Sequence, residues 1–136
     1  MAASPLPHAD KPLSPHLQIW RFTVTMAASI THRGTGVALY AGTALLAFWL
    51  IAVAQGPGFF YPIGGFLTSL PGMAILGGYI WALSFHLMNG LRYLYWDSGR
   101  GFDPKMARMT SWLVYVGSIA LTALIFFLGY SARGGV

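Results

Sequence analysis

The sequence predicts an all-α integral membrane protein with three transmembrane helices. Only 8% of its 136 residues are charged, 56% are hydrophobic, and the mean hydropathy is +0.60. A soluble domain usually carries about a quarter charged residues, so this chain has too few to cover a soluble surface. The net charge is +5, but the basic residues form no cluster, and no nucleic-acid partner is expected. Because cysteine is absent, this chain alone cannot form disulfides, ligate iron–sulfur clusters or perform thiol catalysis.

Residues 1–136 are predicted to form a single membrane-anchor domain that begins with an irregular tail over residues 1–22. This tail is rich in proline and lacks the apolar region of a cleavable signal peptide. The first span is expected over about residues 23–54. Its charge-free part, Gly34 to Ala54, has about the twenty residues needed to cross a bilayer core, and Gly56-Pro57-Gly58 is predicted to end the helix.

The aromatic and glycine-rich stretch from Phe59 to Leu70 is expected at the outer membrane interface, where aromatic rings are favoured. The second span is predicted over about residues 68–97 and the third over about residues 104–131. Asp103 and Pro104 have the pattern of an N-cap followed by a first-turn proline. Three glycines of the second span are small enough to permit close helix packing: Gly72, Gly77 and Gly78.

The basic residues predict the orientation of the spans. They concentrate in the N-terminal region and in the second loop, whereas the first loop has no charge. By the positive-inside rule, the N-terminus and the second loop are therefore expected on the cytoplasmic or matrix side. The N-terminal region is not an Arg-rich amphipathic transit peptide. Either the protein is bacterial or a transit peptide is missing from this sequence, and a bacterial inner membrane is expected ahead of the mitochondrial one. The basic residues concerned are Lys11, Arg21, Arg33, Arg100, Lys105 and Arg108.

His86 is the main candidate functional residue, because it lies inside the apolar second span. It precedes Asp97 by eleven residues, or roughly 16 Å along a helix, which puts it within the bilayer core. Ionisable residues at that depth are functional-site candidates, and neutral imidazole is a common metal and haem ligand. Ser29 and Arg33 share one face of the first helix and His32 flanks that face, so the polar groups of both spans converge on one side of the membrane.

Each of these residues also has a simpler interpretation. His86 could be a buried side chain that is hydrogen-bonded to a neighbouring helix. Arg33 and Arg92 could extend to lipid phosphates at the membrane surface, and Ser29 could bond back to a carbonyl of its own helix. Composition and spacing alone leave these alternatives open.

Two stretches resemble the signatures of a known family. The first runs from Lys11-Pro12-Leu13-Ser14-Pro15-His16-Leu17-Gln18-Ile19-Trp20-Arg21 to Ser29-Ile30-Thr31-His32-Arg33-Gly34-Thr35-Gly36, and the second is His86-Leu87-Met88-Asn89-Gly90-Leu91-Arg92-Tyr93-Leu94-Tyr95-Trp96-Asp97-Ser98-Gly99. Their order and spacing resemble those of the succinate dehydrogenase cytochrome b membrane-anchor subunits of respiratory complex II. The resemblance covers nearly the whole chain.

The resemblance implies a subunit that carries electrons and binds quinone within succinate:quinone oxidoreductase, with no residue that acts on succinate. It implies that His86 is an axial ligand of haem b, that Ser29 and Arg33 line the pocket for ubiquinone or another quinone, and that His32 and Arg33 lie near the haem propionates. It further implies a second anchor subunit that supplies the other haem ligand, an iron–sulfur subunit, a flavoprotein subunit and surrounding membrane lipid.

Two departures from the family pattern stand out. Lys11 replaces the usual arginine, which keeps the charge but loses the bidentate fork. Tyr93 stands where histidine or phenylalanine is usual, which removes a second candidate ligand near His86. Two alternatives within the resemblance are a haem-free structural anchor of the same complex and the anchor of a fumarate reductase. A small di-haem cytochrome b unrelated to succinate is disfavoured by the shortage of intramembrane histidines.

Overall fold

The computed structural model describes residues 19–133, which fold into four helices. These are α1 (Val24–Gln55), α2 (Pro57–Thr68), α3 (Leu70–Asp97) and α4 (Pro104–Arg133). Within the described chain, three helices are long and apolar enough to cross a membrane: Val24–Gln55, Leu70–Asp97 and Pro104–Ala132. This confirms the predicted all-α class with three spans.

The described region excludes residues 1–18 and 134–136. Most of the predicted N-terminal tail, including Lys11 of the first motif, therefore lies outside the described residues.

Helix α1 begins after a side-chain cap and is longer than a bilayer core requires. The Thr23 hydroxyl accepts a hydrogen bond from the Met26 N–H at 3.4 Å. The helix has 32 residues, or about 48 Å at 1.5 Å per residue, against a hydrocarbon core of about 30 Å. The polar first turns can therefore lie outside the hydrocarbon while the rest of α1 crosses it.

The segment after α1 is helical, and its expected place at the outer membrane interface stays a prediction. Gly56, at φ 95°, ends α1 as expected, but the chain then forms the 12-residue helix α2. Pro57 occupies the first position of α2, where its fixed φ suits a helix and its missing N–H has no partner to lose. The same proline that helps to end one helix therefore starts the next.

Side-chain caps also fix the starts of α3 and α4. The Ser69 hydroxyl accepts from the Gly72 N–H at 3.4 Å. The Asp103 carboxylate accepts from the N–H groups of Lys105 and Met106 at 3.0 and 3.1 Å, which confirms the predicted N-cap. Gly99 and Gly101, both at positive φ, allow the tight connection between the two helices.

Helix α3 packs against both α1 and α4, and α1 also contacts α4. Ala28, Phe85 and Val114, one from each helix, form the buried apolar centre of the bundle. Close approach depends on glycine: a Cβ at Gly42 would collide with Tyr79, and one at Gly117 would collide with Met88. Of the three glycines predicted to aid packing, Gly72 and Gly77 contact α2 and Phe126, whereas Gly78 has nothing within 4 Å of its Cβ position.

Candidate functional site: a histidine pair between α1 and α3

His86 projects from α3 toward α1, where two groups meet its imidazole. Its Nδ1 lies 3.3 Å from the His32 carbonyl oxygen and 3.3 Å from the Thr35 hydroxyl oxygen. The Thr35 hydroxyl itself donates to the same carbonyl at 2.9 Å. Since the carbonyl can only accept and the Thr35 proton is already engaged, Nδ1 must carry the imidazole proton. In the neutral ring the lone pair therefore belongs to Nε2.

The ring of His32 stacks on the ring of His86. The centroids are 3.9 Å apart and the planes differ by 13°. Two axial imidazoles approach one iron end-on from opposite sides, so face-to-face rings cannot both ligate the same haem. His32 Nδ1 is buried and has no hydrogen-bond partner within the described region, which leaves an unsatisfied polar atom beside His86.

Gly36 allows the two helices to approach at the level of His86. A Cβ added there would lie 3.2 Å from His86 Cε1, which is tighter than an ordinary van der Waals contact. Residues 32, 35 and 36 share one face of α1, because residues three and four apart lie on the same side of a helix. That face of α1 thus contacts the imidazole through the His32 carbonyl and the Thr35 hydroxyl, and Gly36 leaves room for the ring.

The donors at this site suit a haem better than a chelated metal ion. Across residues 19–133, no group of three or more His, Cys, Asp or Glu side chains comes together to hold a metal. A porphyrin brings its own equatorial ligands and needs axial ligands only. A ligating histidine usually donates its other ring N–H to a carbonyl or carboxylate, as His86 does here. At Gly90, one turn along α3, nothing lies within 4 Å of the Cβ position.

Ser29 joins the cluster through Tyr93. The Tyr93 hydroxyl donates to Ser29 Oγ at 3.3 Å, and the Tyr93 ring meets His32 edge-on with centroids 5.1 Å apart. Among the described residues, the Ser29 hydroxyl thus pairs across the helix interface and not with a carbonyl of its own helix. The structure brings together Ser29, His32, His86 and Tyr93.

Arg33 is separate from this cluster. Its side chain is exposed, and no hydrogen bond in the described chain joins it to Ser29, His32 or His86. It lies one turn after Ser29 on α1, on the surface next to the cluster. The side chain is thus available to a ligand, a lipid or a partner chain.

The Arg92 side chain is buried, so the interpretation that it extends to lipid phosphates at the membrane surface is wrong. Arg92 is only 5% exposed. Its guanidinium donates to Thr110 Oγ1 at 3.1 Å, Asn89 Oδ1 at 3.2 Å and the Ala107 carbonyl at 3.4 Å, and it lies 4.0 Å from the Trp96 ring centroid. Arg92 therefore links α3 to the start of α4.

Sequence reasoning missed three contributors to the site: Thr35, Gly36 and the Tyr93–Ser29 contact. Thr35 and Gly36 could have been found from their spacing of three and four residues from His32, which places them on its face of α1. The Tyr93–Ser29 contact joins residues 64 apart and depends on the register between α1 and α3, which no local pattern specifies.

The fold and the site define a polytopic helical membrane protein in which a histidine with a defined tautomer lies between two spans. A family model described as the succinate dehydrogenase/fumarate reductase transmembrane subunit matches residues 8–125. The chain belongs to this family, and the resemblance predicted from the two motifs is confirmed.

Named relatives agree with this assignment. The chain is 40% identical over 122 residues to the succinate dehydrogenase cytochrome b556 subunit of Paracoccus denitrificans, covering 88% of this chain and 94% of the relative. It is 38% identical over 115 residues to the subunit of the same name from Rickettsia felis, covering 85% and 90%. The mitochondrial cytochrome b560 subunit of Sus scrofa is 37% identical over 125 residues, covering 85% and 72%. The bacterial relatives and the three apolar helices identify a multi-pass protein of the bacterial inner membrane.

Proposed function

We propose that this chain anchors succinate dehydrogenase in the membrane, ligates haem b through His86 and lines a quinone-reducing site with Ser29 and Arg33. The observation that carries the proposal is the convergence of Ser29, His32, His86 and Tyr93 between α1 and α3. The names of the relatives, cytochrome b subunits of succinate dehydrogenase, supply the chemical context.

His86 would present the Nε2 lone pair to the iron, while its Nδ1–H donates to the His32 carbonyl. This hydrogen bond orients the ring and raises the basicity of the ligating nitrogen. Bound haem supplies a one-electron redox centre. His32, stacked on His86 at 3.9 Å, stiffens the ring from one side and would lie beside the propionate edge.

Ser29 and Arg33 would act on the quinone. The Ser29 hydroxyl would donate a hydrogen bond to a quinone carbonyl oxygen. The Arg33 guanidinium, exposed one turn further along α1, would stabilise negative charge as that oxygen is reduced. A charged donor forms a stronger hydrogen bond to such an oxygen than a neutral donor does. Electrons would arrive from succinate through the flavin and iron–sulfur centres of partner subunits.

A second anchor chain would complete the haem site. His32 and His86 are the histidines of the described region, and their stacking prevents them from serving one iron together. Within residues 19–133 no further histidine is available, so we propose that the second axial ligand comes from another subunit. Four leucines on one side of α3 expose between 49% and 64% of their surface and would be covered by that subunit or by lipid: Leu83, Leu87, Leu91 and Leu94.

The quinone role is tested by Arg33→Leu in the assembled complex. We expect kcat/KM for quinone to fall by about tenfold to about a hundredfold, which corresponds to the loss of one hydrogen bond to a charged group. Succinate-dependent reduction of an artificial dye that accepts electrons ahead of the quinone is expected to stay unchanged.

The matched control is Arg108→Leu, which removes an exposed basic residue from the start of α4. It should leave both assays at wild-type values. Full quinone reductase activity in Arg33→Leu would remove Arg33 from the proposed site.

A further inference from the structure

Tyr93 and Ser29 form a pairing with a defined direction. The Tyr93 hydroxyl donates to Ser29 Oγ at 3.3 Å. Other helical serines, such as Ser111 and Ser118, donate a hydrogen bond to a carbonyl of the same helix, at 2.8 and 2.9 Å. Ser29 Oγ instead accepts a hydrogen bond from Tyr93 on another helix. The hydroxyl of Ser29 therefore remains available to donate a hydrogen bond to a third group.

From this geometry we infer that Tyr93 is a positioning residue for the quinone site: it holds Ser29 as a donor that points its proton at the quinone oxygen. This inference rests on the proposed function of Ser29. A hydroxyl that accepts one hydrogen bond becomes a better donor in the next, because neighbouring hydrogen bonds polarise one another. Tyr93 would therefore both orient and strengthen the Ser29 donor.

The ring of Tyr93 is itself held in place. It meets His32 edge-on at 5.1 Å and Trp96 edge-on at 5.6 Å. The Arg92 guanidinium in turn lies 4.0 Å from the Trp96 ring. These contacts fix the phenol without using its hydroxyl, so the hydroxyl is free for Ser29. Phenylalanine at position 93 would retain the ring contacts and is expected to fold normally.

The test is a double-mutant cycle in the complete complex with Tyr93→Phe, Ser29→Ala and the double variant, using a soluble ubiquinone as the acceptor. We expect Tyr93→Phe to lower kcat/KM for quinone by about twofold to about tenfold, as for one neutral hydrogen bond. In the Ser29→Ala background the same change should add no further loss, because the acceptor of the phenol proton is already gone.

Tyr115→Phe is the matched control. It removes another phenol that pairs with a hydroxyl on α1, since the Tyr115 hydroxyl oxygen lies 2.9 Å from Thr31 Oγ1. Thr31, however, is on the side of α1 away from Ser29. Kinetics with quinone should stay at the wild-type value in this variant. The haem spectrum should be unchanged in all four variants.

Each outcome has one meaning. A Tyr93→Phe loss that disappears in the Ser29→Ala background supports the inference. A loss that multiplies with that of Ser29→Ala, or one matched by Tyr115→Phe, indicates a structural role and overturns it. Wild-type kinetics in Tyr93→Phe beside a clear defect in Ser29→Ala also overturn it but leave the proposed function standing. Wild-type kinetics in Ser29→Ala would overturn the proposed role of Ser29 itself.

Discussion

The His86 imidazole is oriented by α1 through contacts that leave one nitrogen unused. Two acceptors lie 3.3 Å from Nδ1, and the His32 ring covers one face. A ring held in this way loses little freedom when a ligand binds to Nε2. Gly36 belongs to the same arrangement, because its hydrogen atom occupies the space where any larger side chain would press on the imidazole.

Gly36→Val is therefore expected to displace His86 and weaken haem binding. The added side chain starts from a Cβ only 3.2 Å from His86 Cε1, and overpacking of this kind costs about 1–3 kcal/mol. Haem retained per complex after detergent washing should fall clearly below the wild-type value.

The control is Gly34→Val on the same helix, where nothing lies within 4 Å of the Cβ position. Both variants change helix propensity equally, so their difference isolates the contact with His86. Equal haem content in the two variants would show that Gly36 has no part in holding the ring.

At this scale the sequence could predict which residues to examine but not how they pair. His86 stands out because a polar ring in an apolar span is costly, and Ser29 and Arg33 share a face by spacing alone. The stacking of His32 on His86 and the bond from Tyr93 to Ser29 join residues more than fifty positions apart. Such contacts depend on the relative height of two helices, which local patterns do not determine.

Between elements, Arg92 forms a buried polar link from α3 to α4. Three hydrogen bonds and the Trp96 ring surround a side chain that is only 5% exposed. No carboxylate in the described chain accepts from this guanidinium, so neutral oxygens and an aromatic face stabilise its charge. The link fixes the C-terminal end of α3, where Tyr93 and Trp96 also lie.

Arg92→Leu is expected to lower the thermal stability of the complex. Polar contacts between membrane helices average about 0.6 kcal/mol each, so the two that reach α4, at Thr110 and Ala107, should contribute about 1 kcal/mol. Differential scanning fluorimetry of the purified complex should report a lower Tm than for the wild type.

Arg108→Leu, on the exposed side of α4, is the comparison variant and should keep the wild-type Tm. If Arg92→Leu were as stable as Arg108→Leu, the buried contacts of Arg92 would contribute nothing to the α3–α4 interface.

The helices themselves were largely predictable, because charge-free stretches of about twenty residues can cross a bilayer in few other ways. The exception is α2. Gly56-Pro57-Gly58 predicts the end of a helix, and Gly56 does end α1, but a proline that ends one helix is also favoured at the first position of another. The pattern therefore indicates the break between α1 and α2 but not the helical conformation of α2.

At the level of the whole molecule, the proposed haem and quinone sites need groups from partner subunits. The surface that other subunits would complete includes exposed leucines on α3 and the exposed Arg33 on α1. The predicted orientation, with the N-terminus and the loop after α3 on the cytoplasmic side, stays a prediction. It is consistent with a soluble dehydrogenase docking where Ser29 and Arg33 lie.

We propose that His86 ligates a haem whose other ligand comes from a partner subunit. The dithionite-reduced minus air-oxidised visible spectrum of the purified complex tests this ligation. Wild type is compared with His86→Ala and with the control His32→Ala, each with and without added imidazole.

We predict a sharp low-spin b-type α-band in the wild type. His86→Ala should lose the band or convert it to a high-spin spectrum, and imidazole should restore it by filling the space left by the ring. His32→Ala should remain low-spin. A low-spin band that persists in His86→Ala without imidazole, or a wild-type complex with no haem band, would contradict the account.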